Sequence, residues 1–216
     1  MKYIAIIDYQ HLDHSLFMKS FSEAMSRQIG CSGIILHGDS DYTERLIQTG
    51  TMRGDAVIRS TRDLNHRIVA LLADSGVSGI GVNGYQKKII QKSGEKLRID
   101  NNWIEERPAG THLVLSNLIW DNHAHKIAPF PLRTLADALS EQLNRDTVII
   151  FPVDDSEDVL FAKKKSKIHA LAENEINLQN KIPFELIPPP KNSYMSSTTA
   201  FGNLPDTSGM HRISNI

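Results

Sequence analysis

The chain of 216 residues predicts an α/β protein, a three-layer αβα sandwich built on a mainly parallel central sheet. Three observations carry that expectation. Short apolar runs of strand length recur at 3–7, 34–36, 77–82, 111–119 and 147–151, without strict polar alternation, as in strands buried on both faces. Segments with apolar residues at helical spacing stand between them, and the first two long ones stop at Gly30 and Gly76. The opening β-α-β fits into the first 37 residues, which implies parallel strands joined by a right-handed crossover.

In order, the run at 3–7 is the first strand, and Asp8-Tyr9-Gln10-His11 is a polar turn. A helix follows, from Asp13 or Ser15 to Ile29, with Leu16, Phe17, Phe21, Ala24, Met25 and Ile29 as its apolar set. The strand at 34–36 ends abruptly at His37-Gly38, and Ser40 and Asp41 cap a short helix to Gln48. Residues 49–60 read as a polar, Gly-punctuated connection. Helical spacing resumes over 61–75, with Leu64, Ile68, Leu71 and Leu72 on one side. The strand at 77–82 runs into Asn83-Gly84. Residues 87–91 and 96–100 flank Ser93-Gly94-Glu95 as a hairpin, placed where it could close over a ligand. The strand at 111–119 pairs with 124–128. Leu135, Ala136, Leu139 and Leu143 mark a helix over 132–143, and 147–151 is the last core strand. Residues 163–167 hold a lysine cluster on a solvated face, and 168–178 form a modest helix. The packed domain is expected over 1–180, and 181–216, headed by Pro188-Pro189-Pro190, as an extended or disordered tail.

Composition narrows the function. A net charge of -1 gives neither the basic field of a nucleic-acid binder nor a polybasic membrane tract. No apolar run approaches spanning length, so no membrane is expected and the cytoplasm is the default compartment. Cys31 is the only cysteine, which rules out an intrachain disulfide and fits a small core residue.

The stretch Gly33-Ile34-Ile35-Leu36-His37-Gly38-Asp39-Ser40-Asp41 is the focus for function. A strand, a Gly turn and a helix start aim backbone N–H groups at one spot, which suits an anion; an ordinary βα turn has the same signature. Asp8, His11, Asp13 and His14 follow the first strand, and His37, Asp39 and Asp41 follow the second. Asp and His at adjacent strand ends also suit a metal-dependent phosphoesterase using Asp8, His11 and Asp39.

Across residues 3–160 the order of motifs resembles the amino acid kinase family, and acetylglutamate kinase within it. The likeness rests on residues 4–7, on Ile35-Leu36-His37-Gly38 with Glu44-Arg45-Leu46, on Arg59-Ser60-Thr61, on residues 65–69 and 79–84, and on 135–150 leading into Val153-Asp154. It implies a small-molecule carboxylate as ligand, with His37, Gly38, Asp39, Arg59, Asn83 and Gly84 lining its pocket. Arg59 would grip the carboxylate, and the protein would form a homodimer with a place in arginine biosynthesis. The departures fall on the reacting centre. Where the family has a Lys and a Gly pair, this chain has Asp8, Gln10 and His11; its glycine run becomes Gly38-Asp39-Ser40. An acid that organises the family's lysines becomes Arg133, so Asp8, Asp39 and Arg133 occupy the catalytic positions. Phosphoryl transfer needs positive charge around the moving phosphoryl oxygens. The expectation is therefore weak or lost phosphotransfer, that of a pseudoenzyme. The alternative is an active kinase using ATP and Mg, with cations relocated to Lys87, Lys88 or the 163–167 cluster.

Overall fold

Strand β1 (Lys2–Ile7) exposes Lys2 and buries the five residues after it, so both of its faces are covered. Its alternate residues feed two cores. Tyr3, Ala5 and Ile7 pack with helices α2 (Ser15–Arg27) and α4 (Arg53–Asp74); Ile4 and Ile6 pack with α6 (Leu132–Gln142). Strands β2 (Ser32–His37) and β6 (His112–Ser116) divide in the same way, with Ile35 and Val114 on one side and Ile34, Leu36, Leu113 and Leu115 on the other. Period-2 side chains feeding two helical layers make the three-layer sandwich.

The computed structural model describes residues 1–153 and 181–213. Its main sheet also contains β3 (Gly79–Asn83), β9 (Val148–Ile150), β10 (Ser193–Met195) and β11 (His211–Arg212), in the order β11-β10-β9-β1-β2-β6-β3. All neighbours are parallel except β10 and β11. A second sheet holds β4 (Ile90–Ser93), β5 (Lys96–Ile99), β7 (Leu118–Asp121) and β8 (Lys126–Pro129), in the order β5-β4-β7-β8. Short helices α1 (Tyr9–Leu12), α3 (Tyr42–Gln48), α5 (Asn101–Glu105) and α7 (Thr198–Phe201) complete the described elements. No helix among them is long and apolar enough to cross a membrane.

Four expectations change. Residues 53–60 belong to α4, which starts eight residues before the expected 61. Gly54 sits in the first turn, where amide groups have no intrahelical partner and a glycine interrupts little. Leu16 and Ile29 are exposed, because the buried face of α2 runs through Phe17, Phe21, Ala24 and Met25 and Ile29 lies past its end. The run at 111–119 is two strands: at Asn117 the chain leaves the main sheet and enters the second. The expected hairpin forms, but its Ile90 and Ile99 are buried in the core, so it is a wall of the molecule.

The largest change concerns 181–216. Instead of trailing away, residues 181–213 add β10 alongside β9 and bury Leu186, Phe201 and Leu204. Phe201 stacks on Phe21 and meets Phe151 edge-on. Burial of about 1.5–3 kcal/mol per large apolar side chain outweighs the turn-rich composition of this segment. The lysine cluster at 163–167 and the helix expected over 168–178 lie outside the described residues.

Candidate functional site

Ile7 and His37 are register partners, so the residues after them leave the sheet side by side. This is the C-terminal end of the parallel strands, where open α/β sheets hold ligands. Asp8 is buried and caps α1: its carboxylate accepts from Gln10 N at 2.9 Å and pairs with His11 Nδ1. Asp39 is half-buried and accepts from Thr43 Oγ1 at 3.0 Å. A third carboxylate arrives from a distant part of the chain. Glu185, in the 3-10 turn Phe184–Leu186, accepts from Tyr9 N at 2.7 Å.

Residue 185 is exposed as a whole, but its carboxyl tip is sheltered against the start of α1. Burial pushes its pKa up; the Tyr9 N–H opposes that, and the Asp8 and Asp39 charges add to it, for a value of about 7. The Tyr9 phenol is also raised, by burial and then by its hydrogen bond to Asp41 and the charges of Asp39 and Glu44. The crevice that an open α/β sheet forms at these strand ends is thus bordered by acidic residues, with the Glu185 carboxyl pushed up to about 7. Like charges a few ångströms apart cost several kcal/mol at intermediate dielectric, so negative charge there disfavours phosphate.

The other expected site residues divide. His37 is fully buried with both ring nitrogens engaged: Nδ1 bonds the Gly38 carbonyl at 2.9 Å, and Nε2 accepts from Asn65 Nδ2 at 3.0 Å. Burial lowers its pKa to about 4, so the ring is neutral and offers no free nitrogen to a ligand. Gly38 stays at the crevice, with Asn117 packed beside it. The Asn83 side chain accepts from Ser116 Oγ at 2.8 Å, which ties β3 to β6. A Cβ at Gly84 would meet the Leu118 carbonyl oxygen at 2.8 Å, so this turn is set by the close approach of the second sheet. Arg59 is exposed on the outward side of α4, whose inner side is Ala56, Ser60, Leu64, Ile68 and Leu72. It lines an open groove of about 490 Å³ with Asp55, Arg62 and Asp63, at the N-terminal half of α4. Arg133 is tied to Asp137 on its own helix at 3.2 Å. The metal reading loses its imidazole: His11 is fully buried against Phe17 and Phe151, with Nδ1 on Asp8. No group of three His, Cys, Asp or Glu suited to a metal exists among the described residues.

Sequence reasoning missed Glu185, Asn65 and Asn117. Asn117 clamps the two sheets together, donating from its side chain to the Phe130 carbonyl at 2.9 Å while its own carbonyl accepts from Phe130 N at 3.0 Å. An asparagine at a strand end was the available signal. Glu185 gave none, since 176 positions separate it from Tyr9.

Neither a protein-family model nor a curated protein matches the chain. Solved structures match the architecture. Isopentenyl phosphate kinase gives a TM-score of 0.59 at 14% identity, covering 94% of this chain and 94% of that one. N-acetylglutamate synthase from Neisseria gonorrhoeae, complexed with coenzyme A and L-arginine, gives 0.59 at 12%, covering 100% of this chain and 61% of that one. Aspartate kinase from Synechocystis gives 0.58 at 13%, covering 70% of this chain and 28% of that one. The fold is that of the amino acid kinases. It is shared by kinases and by an acetyltransferase, so the site must decide what this chain does. The chain spans only part of the aspartate kinase and the N-acetylglutamate synthase.

Proposed function

We propose that this protein binds a small amino acid or related carboxylate at the ends of β1 and β2, and that phosphotransfer is weak or lost. The observation that carries this reading is the acidic charge beside the strand ends: Asp8 and Asp39 both add to the rise in the pKa of Glu185, whose carboxylate is held by Tyr9 N. By the resemblance to amino acid kinases a phosphoryl group would arrive there, and that charge opposes it while favouring a ligand's protonated amine. The resemblance to acetylglutamate kinase leads to an acylated amino acid; the acidic crevice favours the free, ammonium-bearing form. The N-acetylglutamate synthase neighbour was solved with L-arginine in one structure and with N-acetyl-glutamate in another, which makes the two forms natural probes.

Thermal stabilisation measured with L-arginine, L-glutamate, N-acetyl-L-glutamate and ATP with Mg tests the proposal. Stabilisation by a free amino acid, weakened by Asp39→Asn, is the expected result. Stabilisation by ATP with turnover of an acylated glutamate would overturn it in favour of an active kinase with relocated cations.

A further inference from the structure

Beside the crevice runs a strip of opposite charge. Arg62, on α4, sits over the Tyr85 ring with its Cζ 5.1 Å from the centroid. Tyr85 and Lys88 bracket one 3-10 turn, closed by Lys88 N donating to the Tyr85 carbonyl at 3.0 Å. Lys88 in turn places its Nζ 5.6 Å from the centre of the half-buried Trp120. Trp120 is the register partner of Gln91, and Gln91 that of Arg98, so Trp120, Gln91 and Arg98 form one cross-strand row on one face of the second sheet. Side-chain contacts thus join α4 to Trp120, and strand register carries the row on to β5.

This strip carries Arg62, Lys88 and Arg98, with Lys87 in the same turn as Lys88; Asp55 and Asp63, the carboxylates nearest in the chain to Arg62, share its groove on α4. None of the four cations has an ion-pair partner among the described residues. Arg62 Nε is buried without a hydrogen-bond partner. A cation over a ring face is positioned but keeps its outward N–H groups for another acceptor. The turn is also strained. Lys87 and Lys88 have φ of +48° and +56°, two consecutive lysines in the left-handed region, where non-glycine residues cost free energy and cluster at functional positions.

We propose that this strip is a binding site for a small polyphosphate anion, a chain of phosphoryl groups lying across Lys87, Lys88 and Trp120 between Arg62 and Arg98. Adjacent strands are about 4.8 Å apart, so Arg98 stands about two strand spacings from Trp120, beyond the reach of a single phosphate that also touches Arg62. A linear chain of phosphates matches that spread. The site is separate from the strand-end crevice in residues and in sign of charge, so its test does not depend on the amino-acid reading.

Titrating inorganic tripolyphosphate into the full chain carrying Trp103→Phe, with Trp120 as the remaining tryptophan, tests this directly. The expected result is a saturable change in Trp120 emission, weakened about tenfold or more in Lys87→Met/Lys88→Met. ATP should bind at least as well, sulfate at matched ionic strength far more weakly. Unchanged circular dichroism establishes that the double variant is folded. Arg98→Gln, on a different element, should also weaken binding. Absence of a saturable response, an equal response to sulfate, or unchanged affinity in both variants would overturn the proposal. A short single-stranded oligonucleotide binding more tightly than tripolyphosphate, with affinity rising with length, would overturn it in favour of a nucleic-acid surface.

Discussion

Asn65→Ala removes the side chain that holds α4 to the sheet beside the candidate site. The amide Nδ2 donates to His37 Nε2 and to the Val114 carbonyl, each at 3.0 Å, and all three residues are buried. Alanine leaves the imidazole nitrogen and the carbonyl without a donor in a dry interior. Each buried orphan costs about 1–3 kcal/mol, so a loss of about 2–6 kcal/mol is expected, apart from any cavity. The effect reaches the crevice, because His37 fixes the turn at Gly38 through its own Nδ1. Guanidinium unfolding followed by circular dichroism reads the loss as a lower midpoint at unchanged slope. Asn65→Asp should be worse, placing a carboxylate against two acceptors. A change below about 1 kcal/mol for Asn65→Ala would refute the reasoning, since a buried donor serving two acceptors cannot be that dispensable.

Glu105→Gln should destabilise by about 3–5 kcal/mol in the same assay, because the Arg145 side chain is fully buried and Glu105, 2.8 Å away, is its only carboxylate among the described residues. Gly81→Ala should also lower the unfolding midpoint, since its Cβ would lie 2.4 Å from Asn65 Oδ1; an unchanged midpoint would mean that the helix shifts freely there. Stability should depend on pH in two opposed ways. Burial holds His37 and His112 near pKa 4, the Arg107 charge adding to the effect at His112, so their contribution is present above about pH 6.5 and lost as pH falls toward 4. Glu185 is raised from 4.5 to about 7, so its protonated form favours folding at low pH, a contribution lost as pH rises through 7. Melting temperatures of Glu185→Gln between pH 4 and 8 should therefore fall more steeply on the acid side than those of the unaltered chain.

How much was legible in the sequence depends on the range of the signal. The strand at 3–7 and the helix over 132–143 announce themselves because their burial follows local periodicity. So does the side-by-side exit of the chain after β1 and β2, since parallel strands joined by a crossover bring their ends together. Arg59 came from the resemblance, and the structure sets it on the exposed side of α4 in the groove with Arg62. The segment 181–213 was hidden by its own composition. Proline and serine mark turns, yet Phe201 and Leu186 find their partners in residues far away in the chain. The strip of Arg62, Tyr85, Lys88 and Trp120 is visible only once α4 and two sheets are side by side.

The account depends on the Glu185 carboxyl being held, sheltered, beside the acidic strand ends, and its titration measures that arrangement most directly. Carbon-detected NMR of the labelled side-chain carboxyl should give a pKa of about 7, raised mainly by burial, and falling modestly in Asp39→Asn as one of the added charges is removed. A Glu185 carboxyl that titrates near 4.5 and ignores that substitution would contradict that arrangement, and with it the functional reading.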